Sequence, residues 1–534
     1  MHARLLIGAA ALALTSGTAW ADYTLHVLHI NDLHSRVEPI NRFNSTCSPE
    51  DNAEGECFGG VARVHTMINQ LRDELTAAGE NVIVLDAGDQ FQGSLMYTTY
   101  KGAAEAEFMN MIGFDVMAVG NHEFDDGPEA LSDFIDIVDF PVISGNLDVS
   151  QSSDLNGEVG NHVVLEVGGE RIGIISALAT DTVVTSSPGP DVIFQDEIDS
   201  LAADVARLNA DGVNKVIALT HVGLPRDLEI AAAVPGLDAV VGGNSHTYLS
   251  SSDPRREGAY PTWVTQADNS FVPVVQAGAF SKYVGHLELN FDDNGKLLNA
   301  GGNTIVLDAS VEENADIVAR VAELAGPIEE LKAEVVGGTE GFIEGDRSVC
   351  RAQECAMGNL VAEAMLDRVK GQGITLSIQN GGGLRASIDE GEITMGEILT
   401  VLPFQNTVAT FEATGATMIA ALENGVSQVE DGSGRFPQVA GMKYTWDASA
   451  EPGSRIQEVL VIENDAFVPI DPDKVYGVVT NNFMRNGGDG YSMFVNAANA
   501  YDFGPGLEQV VADFVSSHGG RYAPFTDGRI SQSN

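Results

Sequence analysis

The chain of 534 residues is too long for one ordinary domain and indicates two or three. Its hydrophobic fraction of 44% is that of a globular protein with ample material for folded cores. The formal net charge of −49 argues against polymeric nucleic acid as a partner, because the phosphate backbone would be repelled. An anionic substrate would therefore need local positive charge from metal ions and arginines.

The first residues have the features of a secretory signal peptide. Arg4 precedes an apolar core from Leu5 to Leu14, and Ala19-Trp20-Ala21 is a small-x-small ending, so we expect a signal peptide over residues 1–21. The apolar core is too short to span a membrane, no later segment is suitable, and the polar tail 526–534 has no lipid-anchor signal. We expect a soluble protein that is periplasmic or secreted.

Polar side chains follow strand-like segments at five places in the first half. Gly120-Asn121-His122-Glu123, for example, comes directly after the apolar run from Asp115 to Val119, which is typical of a buried strand. Open α/β sheets place their ligand crevices at the carboxyl ends of their strands, so we expect these side chains to converge. The candidate metal ligands are Asp32, His34, Asp89, Asn121, His221 and His246, with Asn244 as an additional candidate.

The mixture of carboxylate, amide and imidazole donors suits a first-row divalent ion such as Zn²⁺ or Mn²⁺, with Co²⁺ or Mg²⁺ as alternatives. The set is larger than one ion takes from a protein, so we interpret it as two ions bridged by Asp89. Two ions about 3.5–4 Å apart form the clamp used for in-line attack on phosphorus. The alternative is that these are ordinary polar loop residues. That explanation is favoured for any one candidate taken alone, but the whole set together favours a metal site.

The order of these motifs resembles that of the calcineurin-like metallophosphoesterases. The matching motifs are Asp32-x-His34, Gly88-Asp89-x-Phe91-x-Gly93, Gly120-Asn121-His122-Glu123, Thr220-His221 and Gly243-x-Ser245-His246. Together with C-terminal motifs, the chain resembles the 5′-nucleotidase family over nearly the whole mature sequence. It departs from the family pattern at Asn244, which stands where the fifth motif normally carries a metal-binding His.

Strand and helix patterns alternate in the first half, as in an α/β sandwich. Apolar residues at helical spacing predict helices over Gly60 to Leu75 and Ile198 to Leu208. Two hairpins are predicted, one turning at Gly168-Gly169 and one at Asp293-Asn294-Gly295.

The charged segment from Asn314 to Val335 predicts a linker helix that Pro327 bends or restarts. With the resemblance, the expected fold is α/β: a four-layer α/β/β/α metallophosphoesterase sandwich, a linker helix, and a smaller α+β substrate-binding domain. The predicted ranges are 22–310, 311–336 and 337–534.

Loops of the second half contain arginine, glycine and aromatic residues, which by themselves indicate only a cluster that binds an anion and a ring. The resemblance implies more: two phenylalanines stack the base, an Asp takes the ribose hydroxyls, and the arginines hold the substrate phosphate. The matching residues are Arg351, Asn380, Arg385, Phe404, Phe483 and Asp489. Arg36, close to the first metal motif, is a further candidate phosphate contact.

His122 is not assigned as a metal ligand, because beside Asn121 it can point at the phosphate and either stabilise the transition state or protonate the leaving oxygen. Asp125, three residues later, can orient and charge that imidazole. The resemblance implies hydrolysis of 5′-nucleotides by a metal-activated water, with the C-terminal domain rotating to bring in substrate. Nucleoside monophosphates are the expected substrates, and di- and triphosphates or UDP-sugars are additional ones.

Other functions stay open at the level of sequence. Related hydrolases cleave 2′,3′-cyclic nucleotides, 3′-nucleotides, nucleotide pyrophosphate bonds or sulfur esters, and the paired Phe404 and Phe483 favour a nucleotide over a sulfur ester. A non-enzymatic alternative is a nucleotide-binding surface protein with a degenerate metal site, which Asn244 permits and His122 with Asp125 argues against. The sequence is equally compatible with a monomer and a homodimer.

Four cysteines form two close pairs in sequence. An even number in an exported protein predicts two local disulfides, Cys47 with Cys57 and Cys350 with Cys355. Metal binding by cysteine is the alternative, and it is disfavoured because no cysteine lies beside the His and Asp motifs.

Overall fold

The computed structural model describes residues 23–41, 47, 49–404, 406–463, 466–502, 504–517, 519 and 521–533. The predicted signal peptide lies outside the described residues. The strands of the first domain are β1 Tyr23–Ile30, β2 Asn81–Asp86, β3 Val116–Ala118, β4 Val142–Ile143, β5 Leu147–Asp148, β6 His162–Val167, β7 Glu170–Leu178, β8 Ile193–Phe194, β9 Val216–His221, β10 Ala239–Gly242, β11 Thr262–Thr265, β12 Phe271–Val275, β13 Tyr283–Phe291 and β14 Leu297–Val306.

Helices cover both outer faces of this domain, and α9 follows it. The helices are α1 Pro49–Glu54, α2 Val61–Ala78, α3 Leu95–Tyr100, α4 Ala103–Ile112, α5 Gly127–Ile135, α6 Thr182–Thr185, α7 Glu197–Ala210, α8 Leu224–Ala233 and α9 Ala315–Lys332. In α2, Val61, Val64 and Ile68 are buried at helical spacing, and Gly79 ends the helix in the left-handed conformation. Both helices predicted from apolar spacing are therefore confirmed, as α2 and α7.

Two six-stranded sheets form the centre of the first domain. Their strand orders are β14-β13-β1-β2-β3-β4 and β11-β12-β10-β9-β7-β6. One apolar core lies between the sheets and contains residues of both, such as Val27 and Leu219. Two further cores lie under the helices on the outer faces. This arrangement confirms the predicted four-layer α/β/β/α sandwich.

Both predicted hairpins are present. Strands β6 and β7 pair antiparallel on either side of Gly168-Gly169, and β13 pairs with β14. At the second turn the Asp292 carboxylate accepts hydrogen bonds from the backbone N–H groups of Asn294 and Lys296, which fixes the reversal.

The predicted linker helix corresponds to α9. It begins after Asn314, whose side chain accepts hydrogen bonds from the N–H groups of Asp316 and Ile317, and it runs through Pro327 without a break. The helix contacts α3 of the first domain and α12 (Met395–Val401) of the second. It therefore packs against both domains.

The second domain is an α+β unit with a five-stranded sheet, β19-β16-β23-β18-β24, and a four-stranded sheet, β22-β21-β20-β25. Its strands are β15 Val335–Thr339, β16 Ile374–Asn380, β17 Gly391–Thr394, β18 Val408–Thr414, β19 Pro437–Ala440, β20 Met442–Trp446, β21 Ile456–Glu463, β22 Ala466–Pro469, β23 Val475–Asn481, β24 Ala498–Tyr501 and β25 Ile530–Gln532. The remaining helices are α10 Arg347–Cys350, α11 Ala356–Arg368, α12 Met395–Val401, α13 Gly415–Val426, α14 Asn482–Arg485 and α15 Leu507–Ser517.

Both predicted disulfides are formed, Cys47 with Cys57 and Cys350 with Cys355. Disulfides of this kind are typical of proteins that fold in an oxidising compartment. Among the helices in the described part of the chain, none has the length and apolar character needed to cross a membrane.

Candidate metal and nucleotide sites

Each candidate metal ligand lies at or just beyond the carboxyl end of a strand. Strands β1, β2 and β3 run parallel in one sheet, and β9 and β10 run parallel in the other, so their carboxyl ends meet at one edge of the sandwich. The candidate ligands that follow them are Asp32, His34, Asp89, Asn121, His221, Asn244 and His246. The convergence expected from the strand pattern is therefore present.

Five of these ligands have a backbone conformation that is rare for residues with a side chain. Their φ angles lie between 51° and 74°, in the left-handed region. These residues are Asp32, His34, Asp89, Asn244 and His246. Such conformations cost about 1–3 kcal/mol each and accumulate at functional sites, where surrounding contacts hold them.

A buried carboxylate holds the turn around Asp89. The side chain of Glu123 is fully buried and accepts hydrogen bonds from the backbone N–H groups of Gln90 and Gly120, each at 2.7 Å, and of Asp89 at 3.0 Å. Burial, followed by the nearby charge of Asp89, raises the pKa of Glu123 to about 7. Glu123 thus connects two ligand loops.

The ligand atoms form overlapping groups. The Nε2 atoms of His34 and His246 lie 2.9 Å apart, and His246 Nε2 lies 3.1 Å from Asp32 Oδ1. On the other side of the cluster, His221 Nε2 lies 3.1 Å from Asp89 Oδ2 and 3.9 Å from Asp32 Oδ1. Asp32, His34 and His246 form one group whose ligand atoms lie within 4.8 Å of one another, and Asp32, Asp89 and His221 form another.

The donor set fits divalent cations. The Nδ1 of His221 lies 2.6 Å from the carbonyl oxygen of Ala87, and that of His34 lies 3.2 Å from the carbonyl oxygen of Phe91, so both rings can present Nε2 to an ion. Within the described residues, the buried atoms Asp89 Oδ2 and Asn121 Oδ1 make no hydrogen bond. Buried polar oxygens are rarely left in this state, and a cation would satisfy both.

Asn244 occupies a different position from the other candidates. Its backbone N–H lies 3.1 Å from each carboxylate oxygen of Asp32, and its side-chain amide lies on the side of Gly223, two residues beyond His221. The residue therefore orients Asp32 through its backbone, and its ligation of a metal stays a prediction.

His122 and Asp125 form a close pair beside the cluster. His122 Nδ1 lies 2.6 Å from Asp125 Oδ2, while the hydroxyl of Ser186 donates to Asp125 Oδ1 at 2.6 Å. Burial alone lowers the pKa of His122, but the carboxylates of Asp125 and Asp89 outweigh it and raise the pKa to about 9. His34, Asp89 and His122 form a third group whose ligand atoms lie within 4.8 Å of one another, so the imidazole of His122 faces the cluster.

Arg36 is buried beside the same cluster, with its guanidinium carbon 5.4 Å from the centre of the Phe280 ring. Burial lowers the pKa of Arg36 to about 10, and the charge of Glu508 in the second domain opposes this shift.

The second domain contributes a hydroxyl to this region. Asn121 Nδ2 donates a hydrogen bond of 3.3 Å to the hydroxyl oxygen of Tyr501 at the end of β24. Because this contact uses the amide nitrogen, the amide oxygen of Asn121 stays available to bind a cation. Tyr501 has no motif around it, and sequence reasoning missed it.

The candidate nucleotide-binding residues lie in loops of the second domain. Asn380 Nδ2 donates to the Asp489 carboxylate at 2.7 Å, and Asn481 Nδ2 donates to Asn380 Oδ1 at 2.9 Å, so a chain of buried amides fixes Asp489. The ring of Phe483 lies against Gly488, where an added Cβ would come within 2.5 Å of it. Phe483 remains 39% exposed, which leaves ring surface available for a ligand.

Arginines supply positive charge to the same domain. The guanidinium carbon of Arg385 lies 5.2 Å from the ring centre of Phe404. Burial lowers the pKa of Arg385, and the charges of Arg347 and Arg351 lower it further, so the three arginines are close to one another. In a chain of net charge −49, this concentration of cations suits a phosphate group. Sequence reasoning missed Arg347.

Two family models match the chain in order. Residues 25–248 match the calcineurin-like phosphoesterases, and residues 333–496 match the 5′-nucleotidase C-terminal domain. Fold and site thus define a two-domain calcineurin-like metallophosphoesterase. The chain is 38% identical to human 5′-nucleotidase, in an alignment that covers 99% of this chain and 94% of the human protein. It is 37% identical to a snake venom 5′-nucleotidase of Naja atra, with 95% of this chain and 98% of the venom protein covered. The chain belongs to the 5′-nucleotidase family.

Solved structures give the same result. The 5′-nucleotidase precursor of Thermus thermophilus is 38% identical and has a TM-score of 0.61, with 96% of this chain and 100% of that chain covered. The NAD nucleotidase of Haemophilus influenzae is 28% identical and has a TM-score of 0.79, with coverages of 96% and 99%.

Proposed function

We propose that this chain is an exported 5′-nucleotidase that hydrolyses nucleoside 5′-monophosphates with two divalent ions, Zn²⁺ or Mn²⁺. The observation that carries this proposal is that one chain holds both an Asp/His cluster with buried, unsatisfied ligand atoms and a separate cluster of arginine, phenylalanine and aspartate. Family membership across both domains supports it. The two disulfides support export to the periplasm or the medium.

The residues of the second domain would bind the nucleotide. Phe404 and Phe483 would stack on the base, a contribution of about 1–3 kcal/mol per base. Asp489, fixed by Asn380, would accept hydrogen bonds from the ribose hydroxyls. Arg351 and Arg385, with Arg36 in the first domain, would neutralise the phosphate.

The reaction breaks the bond between phosphorus and the 5′ oxygen of the nucleoside. When bound, two divalent ions would activate the attacking water and neutralise charge on the phosphoryl oxygens. His122, charged and held by Asp125, would give its Nε2 proton to the 5′ oxygen as that bond breaks. The nucleoside then leaves as a neutral alcohol, and the oxygen of water remains on the phosphate.

The two clusters lie on different domains, so a domain movement is part of the proposal. In this structure Tyr501 of the second domain contacts Asn121, and the charge of Glu508 acts on Arg36 beside the cluster. A rotation of the second domain would bring Phe404 and Phe483 toward the cluster and exclude water. Small-angle scattering that is unchanged by a non-hydrolysable nucleotide would count against this movement.

Hydrolysis of a nucleotide pyrophosphate bond is a second candidate function. The observation that favours it is the structural likeness to a protein named as an NAD nucleotidase, at a TM-score of 0.79. The same ions and the same base-binding residues would serve both reactions.

The test is phosphate release by the purified protein from AMP and UMP, together with chromatography of the products formed from UDP-glucose, NAD and a 2′,3′-cyclic nucleotide. Each substrate is assayed before chelation, after chelation, and with Zn²⁺, Mn²⁺ or Co²⁺ restored. The proposal expects chelator-sensitive release from the 5′-monophosphates, while products from NAD or UDP-glucose would add the second activity. Nucleotide binding without hydrolysis under any metal would refute the enzymatic proposal.

A Phe404→Ala variant separates substrate binding from chemistry. We expect KM for AMP to rise by about 5- to 150-fold, which corresponds to the loss of one stacking contact of about 1–3 kcal/mol. Phe271→Ala is a matched control, because Phe271 is an exposed phenylalanine on β12 of the first domain.

A further inference from the structure

The two halves of the Asp/His cluster offer different donors. On one side, His34 and His246 place two imidazole nitrogens 2.9 Å apart, and His246 Nε2 lies 3.1 Å from Asp32 Oδ1. We call Asp32, His34 and His246 the imidazole-rich half. Two imidazoles and a carboxylate are the donors that Zn²⁺ binds tightly.

On the other side there is one imidazole. His221 Nε2 lies 3.1 Å from Asp89 Oδ2, and the ligand atoms of Asp32, Asp89 and His221 lie within 4.8 Å of one another. The amide oxygen of Asn121 is a further buried donor that makes no hydrogen bond within the described residues, and we infer that it belongs to this half. We call Asp89, Asn121 and His221 the oxygen-rich half. Carboxylate and amide oxygens bind first-row ions less tightly than imidazole does, and they suit harder ions such as Mn²⁺ and Mg²⁺.

The inequality is linked to Asn244. This residue stands where the motif of the resembling family carries a metal-binding His, and its amide nitrogen lies 3.9 Å from the position that a Cβ on Gly223 would take. The nearest imidazole in sequence is His246, whose ring contacts His34 and Asp32 instead. The imidazole-rich half therefore has two histidines, His34 and His246, whereas the other half has one, His221.

Shared carboxylates increase the difference between the two positions. Asp32 Oδ1 lies 3.9 Å from the Nε2 atoms of both His34 and His221. Asp89 Oδ2 lies 3.1 Å from His221 Nε2 and 3.7 Å from His34 Nε2, so both carboxylates face both halves. A first ion that takes either oxygen reduces the negative charge left for the second. Two dications about 3.5–4 Å apart also repel each other, which weakens the second binding step.

We propose that the imidazole-rich half binds a Zn²⁺-class ion first and tightly, and that the oxygen-rich half binds a second ion weakly and exchanges it for Mn²⁺ or Mg²⁺. The inference rests on the pair of ions in the proposed function. It predicts a stable form of the protein with one ion, and a mixed form with one Zn²⁺ and one Mn²⁺.

The first experiment is a Zn²⁺ titration of metal-free protein against a competing chromophoric chelator, with bound metal counted by mass spectrometry. We expect two steps whose dissociation constants differ by at least about 10-fold. Mn²⁺ added to the one-zinc form should give the electron paramagnetic resonance spectrum of isolated Mn²⁺. A single step for both ions, or a spin-coupled pair of Mn²⁺ ions in the one-zinc form, would overturn the proposal.

Two substitutions assign the steps to the halves. Asn244→His should tighten the second step by about 10-fold and leave the first unchanged, whereas His246→Asn should weaken the first. His162→Asn is the matched control, since His162 also lies near a carboxylate, Asp204, but outside the cluster. Tightening of the first step by Asn244→His would contradict the assignment.

The result is independent of turnover. If AMP is not hydrolysed while the two unequal binding steps persist, the proposed function fails and the inference on the metal positions stands. If AMP is hydrolysed and both ions bind in one step, the inference fails and the proposed function stands.

Discussion

Replacing Asp125 by Asn tests the role of the carboxylate that holds His122. Asp125 Oδ2 lies 2.6 Å from His122 Nδ1, and its other oxygen accepts the hydroxyl of Ser186. An amide in this place would keep the size of the side chain but remove its charge. Because Asp125 is the largest of the influences that raise the pKa of His122, we expect that pKa to fall from about 9 toward the ordinary value of 6.5.

The size of the effect depends on pH. At about pH 8 the protonated fraction of an imidazole falls from about 0.9 to about 0.03 when its pKa changes in this way, so kcat should fall by about 30-fold. At about pH 6 most of the imidazole is protonated in both proteins, and the deficit should shrink to less than about 2-fold. The basic limb of the rate profile should therefore move to lower pH.

The assay is phosphate release from AMP across this pH range, with metal content measured in the same samples. Asp126→Asn is the matched control, because Asp126 is the adjacent carboxylate and bonds to Tyr97 and Lys101 instead of His122. His122→Ala should lower kcat by about 10²- to 10⁴-fold at every pH and keep the metals. An Asp125→Asn deficit that is equal at both pH values would refute the charge argument, and a metal-free His122→Ala protein would refute the role of His122.

Three further predictions concern other parts of the chain. Replacing both Cys350 and Cys355 by Ser should raise KM for AMP by about 10-fold with kcat little changed, because the disulfide closes the short loop that carries Arg351. An unchanged KM would show that the loop keeps its conformation without the disulfide. Tyr501→Phe should weaken the second step of the metal titration by about 5-fold through the loss of one hydrogen bond, and equal weakening of both steps would contradict this. Burial raises the pKa of Glu105 to about 7, so the native state binds the proton of this carboxyl group more tightly than the unfolded chain does. The protonated carboxyl group therefore contributes about 3 kcal/mol to the free energy of unfolding below about pH 4.5, and this contribution is lost as the pH rises through 7. The free energy of unfolding in urea, measured as a function of pH, should show this loss in the wild type and not in Glu105→Gln. Parallel pH profiles of the two proteins would refute the prediction.

Much of the architecture could be predicted from local patterns. The helical spacing of Val61, Val64 and Ile68 and the turns at Gly168-Gly169 and Asp292 depend on a few neighbouring residues, so they are visible in the sequence. The position of metal donors after apolar strands is equally local. The carboxyl ends of parallel strands lie at one edge of a sheet, and this rule was enough to predict that the donors converge.

The order of residues alone was enough to predict the disulfide pairs, the presence of more than one domain, and the position of Asp, Asn and His side chains after strands. Tertiary structure decided which donors share a half of the cluster, that Glu123 holds the Asp89 turn, and that Tyr501 reaches Asn121 across 380 residues. It also decided that Arg347 stands near Arg385. These relations depend on how two sheets and two domains pack, and a residue has no local signal for a partner that only packing brings to it.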